Sequence, residues 1–173
     1  KYTLHLIIYF TFLTTISCCT PVANQLEEAL QFAGKNRNEL EKVLLHYSKD
    51  SMKYEAACFL IKNIPYYYTY RNNLLDIYIN ELYQTAIDND CTGDEAFTLL
   101  VQKYGLINPD EFETIYDAHV ITADYLINNI EWAFKVWKEK AWGQQMNFDE
   151  FCEYILPYSI SNEPLAEWRE AYY

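Results

Sequence analysis

Six apolar residues, Val120, Ala123, Ile127, Ile130, Phe134 and Trp137, recur at spacings of 3, 4, 3, 4 and 3. Residues three and four apart share one face of a helix, so this period commits the segment to a helix with a buried seam. Six positions are too few for a free coiled coil, and the expectation is a central helix in bundle-like or orthogonal packing. The same period returns in shorter stretches. Leu26, Ala29, Leu30 and Ala33 predict a first helix that Gly34 closes. Asn36 and Glu39 have capping-box spacing ahead of Leu40, Val43, Leu44 and Tyr47. Met52, Ala56, Phe59 and Leu60 give a third helix, stopped by Pro65. Leu75, Tyr78, Ile79, Leu82 and Ala86 give a fourth. Phe97, Leu100, Val101 and Tyr104 give a fifth, ended by Gly105, and a short last helix runs from Phe148 to Ile155 before Pro157. No alternating stretch of useful length competes with these. The expected fold is all-α, a single compact multi-helix domain.

Only four glycines and five prolines in 173 residues leave little material for a turn-dense β fold. Half of the residues are apolar, which is a globular composition. The net charge of −12 argues against a nucleic-acid partner, since phosphates are gripped by clustered Lys and Arg.

The first residues have a different character. Leu4 to Ile16 form an apolar run behind Lys1, short for a membrane span and of the length of a secretory h-region. The run ends in Thr15-Ile16-Ser17-Cys18-Cys19, which resembles a bacterial lipobox in which a Cys becomes the lipidated first residue. Cys18, behind Ser17, is the better-placed anchor and Cys19 the alternative. Residues 1–17 are therefore expected to be a cleaved signal segment, 18–24 a short tether and 25–173 the helical domain. An ordinary cleaved signal peptide, or a first buried helix with two inert thiols, are the competing explanations. Lipidation implies a membrane partner and a place in the bacterial cell envelope.

Four blocks carry a resemblance. They are Gly34-Lys35-Asn36-Arg37-Asn38-Glu39-Leu40, Ala56-Ala57-Cys58-Phe59-Leu60-Ile61-Lys62-Asn63-Ile64-Pro65, Asp117-Ala118-His119-Val120-Ile121-Thr122-Ala123-Asp124-Tyr125-Leu126-Ile127, and Asn147-Phe148-Asp149-Glu150-Phe151-Cys152-Glu153-Tyr154-Ile155-Leu156-Pro157-Tyr158, the last continuing to Arg169. In that order they resemble the helical leader region of transglutaminase-like lipoproteins of Bacteroides-type bacteria. The resemblance implies a papain-like catalytic domain beyond Tyr173, with a Cys nucleophile, a His base and an Asp orienter that none of these blocks supplies. It also implies contact between the helical region and that domain.

Local chemistry is limited. Asp88-Asn89-Asp90-Cys91-Thr92-Gly93-Asp94 begins like an EF-hand, but position 12 is Leu99 instead of the bidentate Glu, and a helix cap by Thr92 or Asp94 explains the same residues. No CxxC or Cys/His spacing suggests zinc, so neither metal nor cofactor is expected. Cys58, Cys91 and Cys152 permit one disulfide without specifying the pair, and Cys58 and Cys152 sit in apolar surroundings as core thiols do. Cys58 or Cys152 with His46 or His119, and Asp117 two residues from His119, could supply a nucleophile set. The acid pairs Glu27-Glu28, Asp94-Glu95, Asp110-Glu111 and Asp149-Glu150 suit solvated helix starts. Tyr66, Tyr67, Tyr68 and Tyr70 are the candidate contact surface, with gap-filling between helices as the bland account. The chain is thus expected to be a helical scaffold or accessory region without catalytic residues of its own. The rivals are a stand-alone lipid-anchored module that offers the tyrosines to glycan or protein, and a nonfunctional fragment.

Overall fold

The computed structural model describes residues 21–173, with side chains from Asn24 onward. The expected signal segment, residues 1–17, and the lipidation candidates Cys18 and Cys19 lie outside the described residues. The chain is mostly helical: α1 (Pro21–Phe32), α2 (Arg37–His46), α3 (Ser51–Asn63), α4 (Asn73–Asp88), α5 (Gly93–Tyr104), α6 (Ala123–Glu139) and α7 (Phe148–Tyr154). It is not all-α. Two four-residue strands, β1 (Tyr68–Arg71) and β2 (Glu113–Tyr116), pair antiparallel with Tyr68 opposite Tyr116 and Arg71 opposite Glu113. Both are made of strand formers, Tyr-Thr-Tyr and Thr-Ile-Tyr, but four residues are too few for alternation to register against a helical background.

Side-chain caps fix where most helices begin. Asp50, Asn72, Thr92, Thr122 and Asn147 each accept a backbone N–H from the first turn of α3, α4, α5, α6 and α7. The capping box expected at Asn36 and Glu39 does not form. Asn36 Nδ2 instead donates to the carbonyls of Ala118 and Ile121, at 3.0 and 2.8 Å, and the Glu39 carboxylate accepts from Ala123 N at 2.8 Å. Both polar groups are used to fasten α2 to the start of α6, where partners are otherwise missing. The seam of α6 is displaced as well. Val120 precedes the Thr122 cap and is exposed, and the buried stripe is Ala123, Leu126, Asn129, Ile130, Ala133 and Phe134. Ile127 is only half buried, so the face is a broad globular stripe instead of a coiled-coil seam.

One hydrophobic core gathers α1, α2, α3, α6, α7 and the segment after α7, through Leu40, Val43, Leu60, Ile61, Ile64, Leu126, Ile130, Phe151 and Leu156. The α4–α5 hairpin stands apart from it, inserted between β1 and β2. Its buried residues Tyr78, Ala96 and Leu100 belong to a contact between the two helices, outside the main core. Asn72, almost fully buried, fixes the base of this arm: Oδ1 caps Leu74 and Leu75, and Nδ2 donates to the Glu111 carbonyl at 3.3 Å. Among the described residues no helix is long and apolar enough to cross a membrane.

Candidate functional site

The two-stranded ribbon determines which aromatic rings meet. Side chains alternate across a strand, so Tyr68 and Tyr70 share a face, and pairing sets Tyr116 beside Tyr68 on that same face. Ring centroids of Tyr68 lie 5.4 Å from Tyr70 and 5.9 Å from Tyr116. The row extends at both ends. Phe112 meets Tyr70 at 6.3 Å, and Phe32, from the last turn of α1, meets Tyr116 edge-on at 5.3 Å. His119 stacks on Phe32 at 5.2 Å, with its Nε2 3.0 Å from the Phe32 carbonyl. Six rings thus make a continuous strip with its outer edges in solvent: Tyr70 is 51% exposed, Phe32 40% and Tyr116 36%.

The four candidate tyrosines part company here. Tyr68 and Tyr70 belong to the strip. Tyr66 is strongly exposed on the turn before β1, where it lines a groove of about 430 Å³ between α1 and α3 with Phe32, Phe59 and Lys62. Tyr67 turns inward, 5.2 Å from the buried Tyr158, while its carbonyl accepts from Asp117 N at 3.1 Å. A single residue reverses face along an extended chain, which is why a run of tyrosines cannot all point outward. The sequence did not place Phe32, Phe112, Tyr116 and His119 beside the tyrosines, because they lie more than 30 residues from the run. The one signal that could have placed Tyr116 there is the strand-forming character of Thr114-Ile115-Tyr116.

Beneath the ribbon lies a buried polar cluster. Tyr158 donates to Asp117 Oδ2 at 2.9 Å, and both are almost fully buried. Burial pushes the Asp117 carboxyl above the usual Asp range, against the Tyr158 hydrogen bond that favours the charged form. Burial and the neighbouring Asp117 carboxylate push the Tyr158 phenol well above its ordinary value. Because the folded carboxyl binds its proton more tightly than the unfolded one, its contribution to stability is complete below about pH 4 and is lost as pH rises through the folded value. Asp117→Asn keeps an acceptor for Tyr158 without the buried charge. Its unfolding temperature is expected to gain on that of the unaltered chain as pH rises from 4, and the gain levels off once the folded Asp117 carboxyl has ionised. Thermal unfolding at pH 4, 6 and 8 checks this, and a constant difference would contradict it.

The nucleophile set is not assembled. Cys58 and Cys152 line a groove of about 490 Å³ between α3 and α7, among Tyr54, Glu55, Lys62, Asp149 and Glu153, with no imidazole in its lining. Cys152 is buried and Cys58 half buried, and Cys58, Cys91 and Cys152 are all unbridged. Burial raises both groove thiols, Cys152 to about 12, which disfavours the reactive thiolate at neutral pH. His46 lies against Tyr47, and His119 is held on Phe32.

The Asp88–Asp94 loop serves helix ends: Asp88 accepts from Gln84, Asp90 takes a left-handed turn at φ 47°, and Thr92 and Glu95 form the capping box of α5. Among the described residues no three His, Cys, Asp or Glu side chains converge in a way that could hold a metal ion. Glu150 likewise closes the capping box of α7. Glu27 and Glu28 lie within α1 and not at its start, and Glu27 pairs with Arg37 at 2.8 Å. Comparison with protein-family models, curated proteins and solved structures found no match to this chain.

Proposed function

We propose that this chain is a non-catalytic contact module that docks another folded protein domain on its aromatic strip. The observation that carries the proposal is the strip itself: six interlocked rings from α1, the ribbon and the turns before and after β2, with open outer edges. Large rigid side chains with polar tips lose little conformational entropy on docking, and they dominate the energetic centres of protein interfaces. A glycan surface is the poorer fit. Sugars stack on a ring face offered flat, whereas these rings meet at 79° (Tyr68–Tyr70), 58° (Tyr68–Tyr116) and 87° (Phe32–Tyr116). The resemblance to leader regions of transglutaminase-like lipoproteins supplies a setting for this role. In it the partner is a papain-like domain of the same protein, and the chain is held at the cell envelope through Cys18 or Cys19. A stand-alone lipid-anchored module would use the same strip on a separate protein. The deciding experiment compares the solvent accessibility of Tyr70 and Tyr116 in the native envelope with that in the purified chain.

A further inference from the structure

The α4–α5 arm carries a second surface, remote in chemistry from the tyrosine strip. A pair of helices can bury only the stripe along their mutual contact, here Tyr78, Ala96 and Leu100. The arm has more apolar surface than that contact covers. Ile79, Tyr83 and Ile87 follow one another at four-residue spacing along α4 and are 66%, 78% and 54% exposed. Phe97 of α5 is 44% exposed, and its ring lies 5.4 Å from Tyr78, which places it beside this row. Half-buried Leu75, Leu82 and Val101 fill the space between. The Glu81–Lys103 ion pair, at 3.1 Å, marks the opposite, polar flank.

Size and charge decide what fits there. The open apolar area is on the order of 500 Å², within the range of patches that mark interaction sites and below the roughly 800 Å² per partner of a standard protein–protein interface. That suits one helix better than a whole domain. Between Asn73 and Tyr104 there are six acids and one basic residue, Lys103, which Glu81 already holds; Arg71 of β1 reaches Asp76 only at 4.0 Å, with both side chains exposed. A second copy would bring the same negative arm against this one, which like-charge repulsion disfavours. We infer that the arm binds a basic amphipathic helix, which lays its apolar stripe along Ile79, Tyr83 and Phe97 and completes a three-helix unit with Lys or Arg over Asp76 and Asp94. The binding mode is the helix-in-groove type, driven by burial and tuned by the acidic rim. This inference does not rest on the aromatic strip.

The test uses the full chain and two fluorescent 20-residue peptides of identical Leu and Lys content. In one, Leu follows helical spacing i, i+3, i+4, i+7; in the other the order is scrambled. Anisotropy titrations at about 0.15 M salt, where surface charges are screened beyond roughly 8 Å, are expected to show the periodic peptide binding at least tenfold more tightly. Ile79→Glu with Tyr83→Glu, both exposed positions, should weaken it at least tenfold, and Asp76→Lys with Asp94→Lys severalfold. Tyr70→Ser should leave it unchanged. Equal binding of both peptides, or unaltered binding by the Glu variant, would overturn the inference. Sedimentation showing a dimer that Ile79→Glu and Tyr83→Glu dissociate would overturn it in favour of a second copy.

Discussion

Phe151→Ala is expected to lower the stability of the folded chain by about 4 kcal/mol, the upper range for truncating a fully buried aromatic. Phe151 has no exposed surface, and its ring lies 4.4 Å from Trp137 and 4.7 Å from Phe134, with Phe148 at 5.9 Å. These rings join α6 to α7. At seven residues α7 is too short to persist alone, since nucleation costs more than so few hydrogen bonds return. Phe151 is its most deeply buried side chain, beside the buried Cys152, and the groove between α3 and α7 depends on it. Urea unfolding of the variant should show a much lower midpoint, whereas Phe97→Ala, at an exposed position on the arm, should cost about 1 kcal/mol. A Phe151→Ala effect under about 1 kcal/mol would mean that α7 is held by something else.

Arg169→Ala is expected to cost about 3 kcal/mol, since each buried acceptor left without a partner costs about 1–3 kcal/mol. Arg169 lies within the fold after α7, and Nε donates to Asn129 Oδ1. Its guanidinium also donates to the carbonyls of Ile155, Leu156 and Pro157, the last at 2.7 Å. Asn129 Nδ2 donates to the Leu156 carbonyl as well, at 2.9 Å. A helix leaves its final carbonyls without partners, and its negative end favours a cation, so one planar fork satisfies the chain exit from α7. Burial lowers the Arg169 pKa to about 10, and no carboxylate is among its hydrogen-bond partners. Truncation would take this donor from Asn129 Oδ1 and from the Ile155 and Pro157 carbonyls, while the Leu156 carbonyl keeps Asn129 Nδ2. Arg169→Lys should recover less than half of the loss, because an ammonium cannot match the fork geometry. Full recovery by Lys would show that charge alone matters here.

These two residues also show how far the sequence could be read. Helix positions followed from apolar period and punctuation: Gly34, Pro65, Gly105 and Pro157 end segments where a helix has to stop. Side-chain polar groups with distant partners were illegible. Asn36 and Glu39 look like a local cap, yet they bind residues more than 80 positions away, and Arg169 looks like a terminal solvated charge. Local spacing reports only local competition for hydrogen bonds. The site shows the same division: Tyr68 and Tyr70 were visible as a cluster, whereas Phe32, Phe112, Tyr116 and His119 join them only through the β1–β2 pairing. The sequence stripe of α4 ran through Leu75, Tyr78, Ile79, Leu82 and Ala86, whereas the exposed apolar row is Ile79, Tyr83 and Ile87, because periodicity does not say what covers a stripe.

Hydroxyl-radical labelling of the aromatic strip tests the central claim most directly. Oxidation of Tyr70 and Tyr116 would be measured in intact cell envelopes and in the purified chain, with Tyr154, 75% exposed on α7, as the reference. A docked protein domain predicts at least fivefold protection of both strip residues in the envelope, with Tyr154 unchanged. It also predicts that an envelope protein fraction restores this protection to the purified chain, and that a deproteinised glycan fraction does not. Equal oxidation in both settings would contradict the contact role, and protection by the glycan fraction alone would replace the protein partner with a carbohydrate.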